Sequence, residues 1–263
     1  MIPRAAQTPA SGVIVSESRK IDLGTHALRV REVGSGADAF VCLHGFLDDA
    51  SVWSGVADAL ADAGRVVLVQ QRGQGDSTAP EGPCSLDDLA TDVVRMLDAL
   101  GIERAVLVGH ALGALVAAKA ALAAPARVRG LVLVAPFSEL DTRAAGEWRH
   151  VVRAGEVNKL QGLARAVFGP TSTRQIDGDG IALTEIARAL HALGRAPVTP
   201  QLGAIACPTT VLVGESDAVG ATAGRIVAGA IPGARLEVVS QQGADLHVRA
   251  ADAVAGAARA VAR

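Results

Sequence analysis

The chain has 263 residues, half of them hydrophobic and a fifth charged, a composition that predicts one globular domain and excludes a disordered chain. Its formal net charge is −2, and it has no run of Lys or Arg that would neutralise several phosphates, which argues against a nucleic-acid partner. With four Phe, two Trp and no Tyr, it also has few aromatic side chains on which bases or sugars could stack.

The three isolated cysteines and the N-terminal segment indicate the cellular compartment in which the protein is expected. Cys42, Cys84 and Cys207 form no CxxC or Cys/His spacing, and their odd number argues against a disulfide framework or a zinc site. The segment from Met1 to Gly12 lacks the apolar stretch of about 7 to 15 residues that a signal peptide needs. No run approaches the roughly 18 apolar residues of a membrane span. We therefore expect a cytoplasmic protein with reduced cysteines, no membrane partner, no metal and no cofactor.

Eight short runs rich in β-branched residues alternate with Ala- and Leu-rich runs, as in βαβ units around a mostly parallel sheet. The predicted strands, in chain order, are Lys20 to Gly24, Leu28 to Val33, Ala39 to Leu43, Arg65 to Val69, Ala105 to Val108, Gly130 to Val134, Thr209 to Val213 and Arg235 to Val239. The pattern predicts an α/β fold with eight strands and helices on both faces.

Helices are predicted between the strands, at Ala50 to Ala63, Leu86 to Leu100, Ala111 to Ala124, Ala218 to Ala230 and Ala250 to Ala262. The alternation of strand and helix patterns is interrupted from Glu139 to Pro200, a stretch too long for a simple loop in a compact domain. We interpret this stretch, the inserted segment, as a helical lid at residues 139–200. It would divide the core into residues 1–138 and 201–263.

The end of the fifth predicted strand carries the most specific motif. Gly109-His110-Ala111-Leu112-Gly113 joins that strand to an Ala-rich helix and resembles the G-x-S-x-G nucleophile elbow of the α/β-hydrolase fold. Three further segments have the order and strand context of that family: Leu43-His44-Gly45-Phe46, Arg72-Gly73-Gln74-Gly75-Asp76-Ser77 and Val213-Gly214-Glu215-Ser216-Asp217. The resemblance extends from Ile21 to Arg263 and implies an atypical member of the α/β-hydrolase superfamily.

The departures from the family pattern concern the catalytic triad. Ala111 stands at the position of the nucleophilic serine, and Ala244 stands where the family's Gly-His step would place the histidine. Gln70 also replaces an acid often found before the Arg-Gly loop. Of the three triad positions only Asp217 keeps a matching residue, so the resemblance does not imply a working serine hydrolase. An engineered Ala111 is an alternative, but a second missing position, Ala244, favours natural loss.

Four residues remain candidates for catalysis. Asp217 is either a triad acid left unpaired by the loss of its histidine, a structural acid or a free general base. His247 would replace the missing base if the last loop were shifted by three residues, although a histidine there more often packs at the sheet edge. His44 and His110 flank the oxyanion segment and the elbow, where histidines usually brace a turn. Asp48 and Asp49 most simply cap the following helix, Asp49 being the better placed.

The resemblance also implies an oxyanion hole made by the backbone amides of Leu112 and Phe46, with Gly45 beside them. An oxyanion hole without a nucleophile suits proton abstraction next to a carbonyl, so we expect enolate-type epimerisation, isomerisation or cyclisation of a natural-product or peptide substrate. Triad-lacking peptide epimerases of natural-product biosynthesis resemble this pattern. The alternatives are an esterase or lactonase inactivated at its nucleophile, and a catalytically silent protein that binds a small molecule or peptide. From Arg143 to Pro200, eight basic against five acidic residues give a faint hint of an acidic ligand.

Overall fold

The computed structural model describes residues 17–263; the stretch from Met1 to Gly12, where we predict no signal peptide, lies outside them. One eight-stranded sheet has the order β1-β2-β4-β3-β5-β6-β7-β8. The strands β1 to β8 are, in turn, Arg19–Asp22, Ala27–Val33, Ala39–Leu43, Arg65–Gln70, Ala105–His110, Val128–Val134, Thr209–Gly214 and Arg235–Val239. β2 pairs antiparallel with β1 and β4, and every other pairing is parallel. The α/β-hydrolase fold class is therefore confirmed.

The central strands are buried on both faces because helices cover both sides of the sheet. Alternate residues point to opposite sides: Leu107 belongs to one hydrophobic cluster, whereas Val106 and Val108 belong to the other. This explains why β3, β5 and β7 are buried at every residue instead of at alternate ones.

The helices α1 to α8 are, in turn, Ser54–Leu60, Leu86–Ala99, Leu112–Ala123, Thr142–Phe168, Gly180–Ala192, Ala218–Ala230, Leu246–Arg249 and Ala251–Val261. α2, α3 and α6 pack on one face of the sheet, and α1 and α8 pack on the other. Ser85 begins α2 with a capping box shared with Asp88, and Gly101 follows its end with φ of 65°.

The predicted helix from Ala50 to Ala63 is shorter in the structure. Residues Ala50–Trp53 form a 3₁₀ turn, for which Asp49 accepts a hydrogen bond from the Ser51 amide, and α1 ends at Leu60. Trp53, the last residue of this 3₁₀ turn, is completely buried. The predicted helix from Ala111 also begins one residue later, because Ala111 has a non-helical backbone.

Two helices, α4 and α5, lie between β6 and β7 and pack against each other. α4 is kinked at Asn158 and Lys159, whose backbones are non-helical. A single β-bridge between Gln74 and Gly178 joins the inserted segment to the loop after β4. The division into a core and a lid stays a prediction.

The three cysteines are free thiols in the structure. Burial raises the pKa of the Cys42 thiol, and it raises that of Cys84 to about 11, so neither is activated as a thiolate. Among residues 17–263, no helix has the length and apolarity that crossing a bilayer would require.

Candidate functional site

The tight turn between β5 and α3 holds Ala111 in a backbone conformation that L-residues rarely adopt, with φ of 48° and ψ of −107°. The flanking glycines make this turn possible. A Cβ added to Gly109 would lie 2.2 Å from the Gly113 carbonyl oxygen, and one added to Gly113 would lie 2.0 Å from the Leu43 carbonyl oxygen. Such strain costs about 1 to 3 kcal/mol and persists only where the surrounding structure enforces it. The elbow therefore keeps its geometry without a hydroxyl at its tip.

The loop after β3 packs directly against this elbow. A Cβ on Gly45 would lie 2.9 Å from Nδ1 of His110, so the loop backbone touches the residue before Ala111. The Gln74 side chain fixes the loop by accepting a hydrogen bond of 2.9 Å from the Leu47 amide. The Phe46 ring meets Trp148 of α4 edge to face, with centroids 5.4 Å apart. The amides of Phe46 and Leu112 donate to no acceptor within residues 17–263.

A cavity of about 710 Å³ opens above the elbow. Its wall comes from the elbow, the loop after β6, α4, α6 and the loop before α7, and it is mostly apolar. Ala111, Asp217 and Ala244, the three positions that the family resemblance relates to a triad, all line it. Among residues 17–263, the charged side chains in this wall are Glu139, Asp141 and Asp217.

Asp217 serves as the N-cap of α6. Its Oδ1 accepts a hydrogen bond of 2.9 Å from the Gly220 amide, and a Cβ on Gly220 would collide with its Oδ2. The loops after β7 and β8 are in contact, since a Cβ on Gly214 would lie 2.1 Å from the Gly243 carbonyl oxygen. This contact brings Ala244 to the same cavity as Asp217, although no imidazole stands there.

His44 braces the loop after β3. Its Nδ1 lies 2.8 Å from the Gly45 carbonyl oxygen, and its Nε2 accepts a hydrogen bond of 3.2 Å from the Gln71 amide. Donation from Nδ1 and acceptance at Nε2 describe a neutral ring, and burial lowers the pKa of His44, which favours that state. Its two nitrogens are therefore occupied by the backbone.

His110 and His247 stack on each other, with ring centroids 4.1 Å apart, and His247 also lies 4.8 Å from the Trp53 ring. Burial lowers the pKa of both imidazoles, that of His247 to about 3. His110 lines the cavity, but His247 lies in α7 and is absent from the cavity wall. His247 thus does not occupy the place left by Ala244.

Sequence reasoning missed the role of Asp48, which was predicted to cap a helix. Its Oδ1 instead accepts a hydrogen bond of 2.6 Å from Arg174 of the inserted segment, and its Oδ2 lies 3.9 Å from Nδ1 of His110. No local motif signals this contact because Asp48 and Arg174 are 126 residues apart in sequence.

Known proteins similar to this chain were found at the family, sequence and structure levels. Residues 38–179 match the family model described as alpha/beta hydrolase fold. The chain is 33% identical over 185 residues, 66% of its length and 50% of the relative's, to the dihydrolipoyllysine-residue acetyltransferase component of the acetoin cleaving system of Cupriavidus necator. It is 34% identical over 138 residues, 52% of its length and 49% of the relative's, to 2-(acetamidomethylene)succinate hydrolase of Mesorhizobium japonicum. The chain thus spans about half the length of these curated relatives.

A solved structure of similar shape is that of a hydrolase from Pseudomonas aeruginosa, with a TM-score of 0.79 and 25% identity over 91% of this chain and 96% of the other. The hydrolases among these proteins correct the sequence-based function. We expected enolate-type epimerase or isomerase chemistry, and the relatives point to hydrolysis instead. The expectation was wrong because it rested on the enolate chemistry that a site without a nucleophile permits. It gave less weight to hydrolysis, the reaction named for these relatives.

Proposed function

We propose, on the premise that this chain belongs to the alpha/beta-hydrolase family, that its cavity binds a small carbonyl compound of the kind hydrolases cleave and that the acyl-enzyme pathway is blocked. The observation that carries the proposal is Ala111, held at the tip of a strained elbow that faces the cavity. A methyl group there can neither attack a carbonyl carbon nor be activated by a base.

The amides of Leu112 and Phe46 would hold the carbonyl oxygen of the ligand next to Ala111, although neither residue belongs to the described wall of the cavity. Leu112 is the first residue of α3, where an amide has no partner within its own helix, and Gly45 lets the loop backbone approach the elbow. Donors of this kind also bind a ground-state carbonyl, although they stabilise a developing oxyanion more strongly. The site would therefore keep affinity for a carbonyl group after losing the nucleophile.

Ala244 would complete the loss of catalysis. With no imidazole at that position, Asp217 has no ring to orient, and its hydrogen bond to the Gly220 amide makes it a structural acid of α6. His44, His110 and His247 would not replace the missing base. Both nitrogens of His44 meet the backbone, and His110 stacks on His247, which lies outside the described wall of the cavity.

The ligand would be small and neutral. The cavity of about 710 Å³ suits a small molecule, and its wall is mostly apolar. The acidic ligand suggested by the basic residues of the inserted segment is disfavoured, because three carboxylates line the part of the wall that residues 17–263 form. The inserted segment would act as the lid, since Ala144 and Trp148 of α4 form part of the wall.

Phenyl acetate tests the proposal as a neutral probe. Saturation-transfer NMR should show that it binds the parent protein, while its hydrolysis stays at the rate of buffer. The Ala223→Phe variant places a ring in the cavity wall and should abolish binding, whereas Ala260→Phe, on the exposed side of α8, should not. Binding that survives Ala223→Phe, or turnover of the probe by the parent at a rate that this variant abolishes, would contradict the proposal.

A further inference from the structure

At the elbow, three side chains from distant parts of the chain come together, and the proposed function uses none of them. Asp48 follows β3, His110 ends β5 and His247 lies in α7. One potential ligand atom from each lies within 4.8 Å of the other two. The three residues form a cluster of two imidazoles and one carboxylate, which we call the Asp48 cluster.

Both histidines of the Asp48 cluster hold a buried nitrogen for which the protein supplies no partner. His110 is 8% exposed and His247 is 2% exposed, and Nδ1 of each makes no hydrogen bond within residues 17–263. A buried polar atom left unpaired costs about 1 to 3 kcal/mol. His44, equally buried, shows the contrast, because both of its nitrogens meet the backbone. The two free nitrogens therefore point to a ligand from outside the chain.

The carboxylate of the cluster has one oxygen left for such a ligand. Arg174 donates to Oδ1 of Asp48, and Oδ2 is turned toward Nδ1 of His110. Gly45 keeps the gap between those two atoms free of side chains, since a Cβ there would lie 2.9 Å from each of them. Asp48 also lines a second cavity, of about 350 Å³, through which a small ion could enter.

From this geometry we propose that Asp48, His110 and His247 bind one divalent transition-metal ion of the Zn²⁺ class. Two imidazoles and one carboxylate form a ligand set that binds zinc and leaves one position for water. A hard ion such as Mg²⁺ is disfavoured because it prefers oxygen ligands. The proposal does not depend on the proposed function.

Binding would require the cluster to contract. Tetrahedral Zn²⁺ with bonds of about 2.1 Å separates its ligand atoms by about 3.4 Å, whereas Oδ2 of Asp48 and Nδ1 of His110 lie 3.9 Å apart. The imidazole planes meet at 29°, so one ring must also turn about its Cβ–Cγ bond to aim Nδ1 at a shared ion. Loss of the ring stack between His110 and His247 is therefore expected on metal binding.

The test is titration of the full chain, first dialysed against EDTA, with ZnCl₂ by calorimetry and with CoCl₂ by visible absorption. We expect one equivalent of Zn²⁺ and a Co²⁺ spectrum typical of tetrahedral coordination. His247→Gln and Asp48→Asn should each weaken Zn²⁺ binding by about 10-fold or more. His150→Gln, an exposed histidine of α4, is the matched control and should leave binding unchanged.

Failure of the parent chain to bind Zn²⁺ would overturn the proposal. Equal binding by the parent, His247→Gln and Asp48→Asn would overturn it too, because the ion would then sit elsewhere. Thermal melts check that each variant is folded. If His247→Gln does not fold, Asp48→Asn decides the question, since Asp48 is only partly buried and tied to the surface by Arg174.

Discussion

Substitution of Gly113 by alanine tests the close packing that shapes the elbow. The added Cβ would lie 2.0 Å from the Leu43 carbonyl oxygen and 2.7 Å from that of His44, both backbone atoms that cannot rotate away. A carbon needs roughly 3.5 Å, so α3 would have to retreat from β3 by more than about 1 Å. Overpacking usually costs about 1 to 3 kcal/mol, and the rigid neighbours place this change at the upper end. We therefore expect Gly113→Ala to destabilise the protein by about 3 kcal/mol or more.

Urea denaturation followed by circular dichroism measures this loss, which in a thermal melt corresponds to a fall in Tm of roughly 6 to 12 °C. Gly256→Ala is the matched control. Gly256 is exposed within α8, and a Cβ there would meet nothing within 4 Å. Alanine should stabilise this helix by about 0.5 to 1 kcal/mol. A Gly113→Ala variant within about 1 kcal/mol of the parent would refute the packing argument.

Two further predictions concern buried charge. Asp92 accepts two hydrogen bonds of 2.7 Å from Arg72 in the protein interior, so Asp92→Asn should lower the free energy of unfolding in urea by about 3 to 5 kcal/mol. The control is Asp87→Asn, since Asp87 is exposed and pairs with Lys119, and this change should cost about 1 kcal/mol or less. Equal losses for the two variants would contradict the prediction. Burial lowers the pKa of His247 to about 3 in the folded protein, whereas this pKa is about 6.5 in the unfolded chain. As the pH falls, the unfolded chain therefore takes up the proton first. The free energy of unfolding falls as the pH drops below about 6.5. In EDTA, lowering the pH from 7 to 4.5 should cost on the order of 2 kcal/mol through this residue, and His247→Gln should lose that part of the pH dependence; an unchanged dependence would show that His247 is not the titrating group.

The fold could be predicted from sequence because its signals are local. Alternating β-rich and Ala-rich runs gave all eight strands, and Ser85 and Gly101 marked the two ends of α2 where the structure has them. Asp49 was also placed as a cap, which the structure confirms. Errors at helix ends arose where a strained turn excluded Ala111 from α3, and where residues Ala50–Trp53 form a 3₁₀ turn capped by Asp49 instead of the first turn of α1.

The site could be predicted only in part. The motifs placed Ala111 and Asp217 at strand ends, and parallel strands bring such ends to one edge of a sheet, so their common cavity follows from topology. The contact between Asp48 and Arg174 and the stack of His110 on His247 join segments more than 100 residues apart. Such contacts depend on how the inserted segment and α7 pack, which no local pattern encodes.

The central claim, that catalysis is blocked at two positions, is tested most directly by rebuilding them. Hydrolysis of p-nitrophenyl acetate would be compared for the parent, Ala111→Ser, Ala244→His and the double variant. The single changes should add little, since a serine without an imidazole has no base and an imidazole without a serine has no nucleophile.

In that comparison the double variant should exceed the parent and both single variants by about 10-fold or more. The gain is limited by positioning, because a base about 1 Å out of place can cost on the order of 100-fold. Strong activity in the parent, or in Ala111→Ser alone, would contradict the account by showing that another residue already supplies the base.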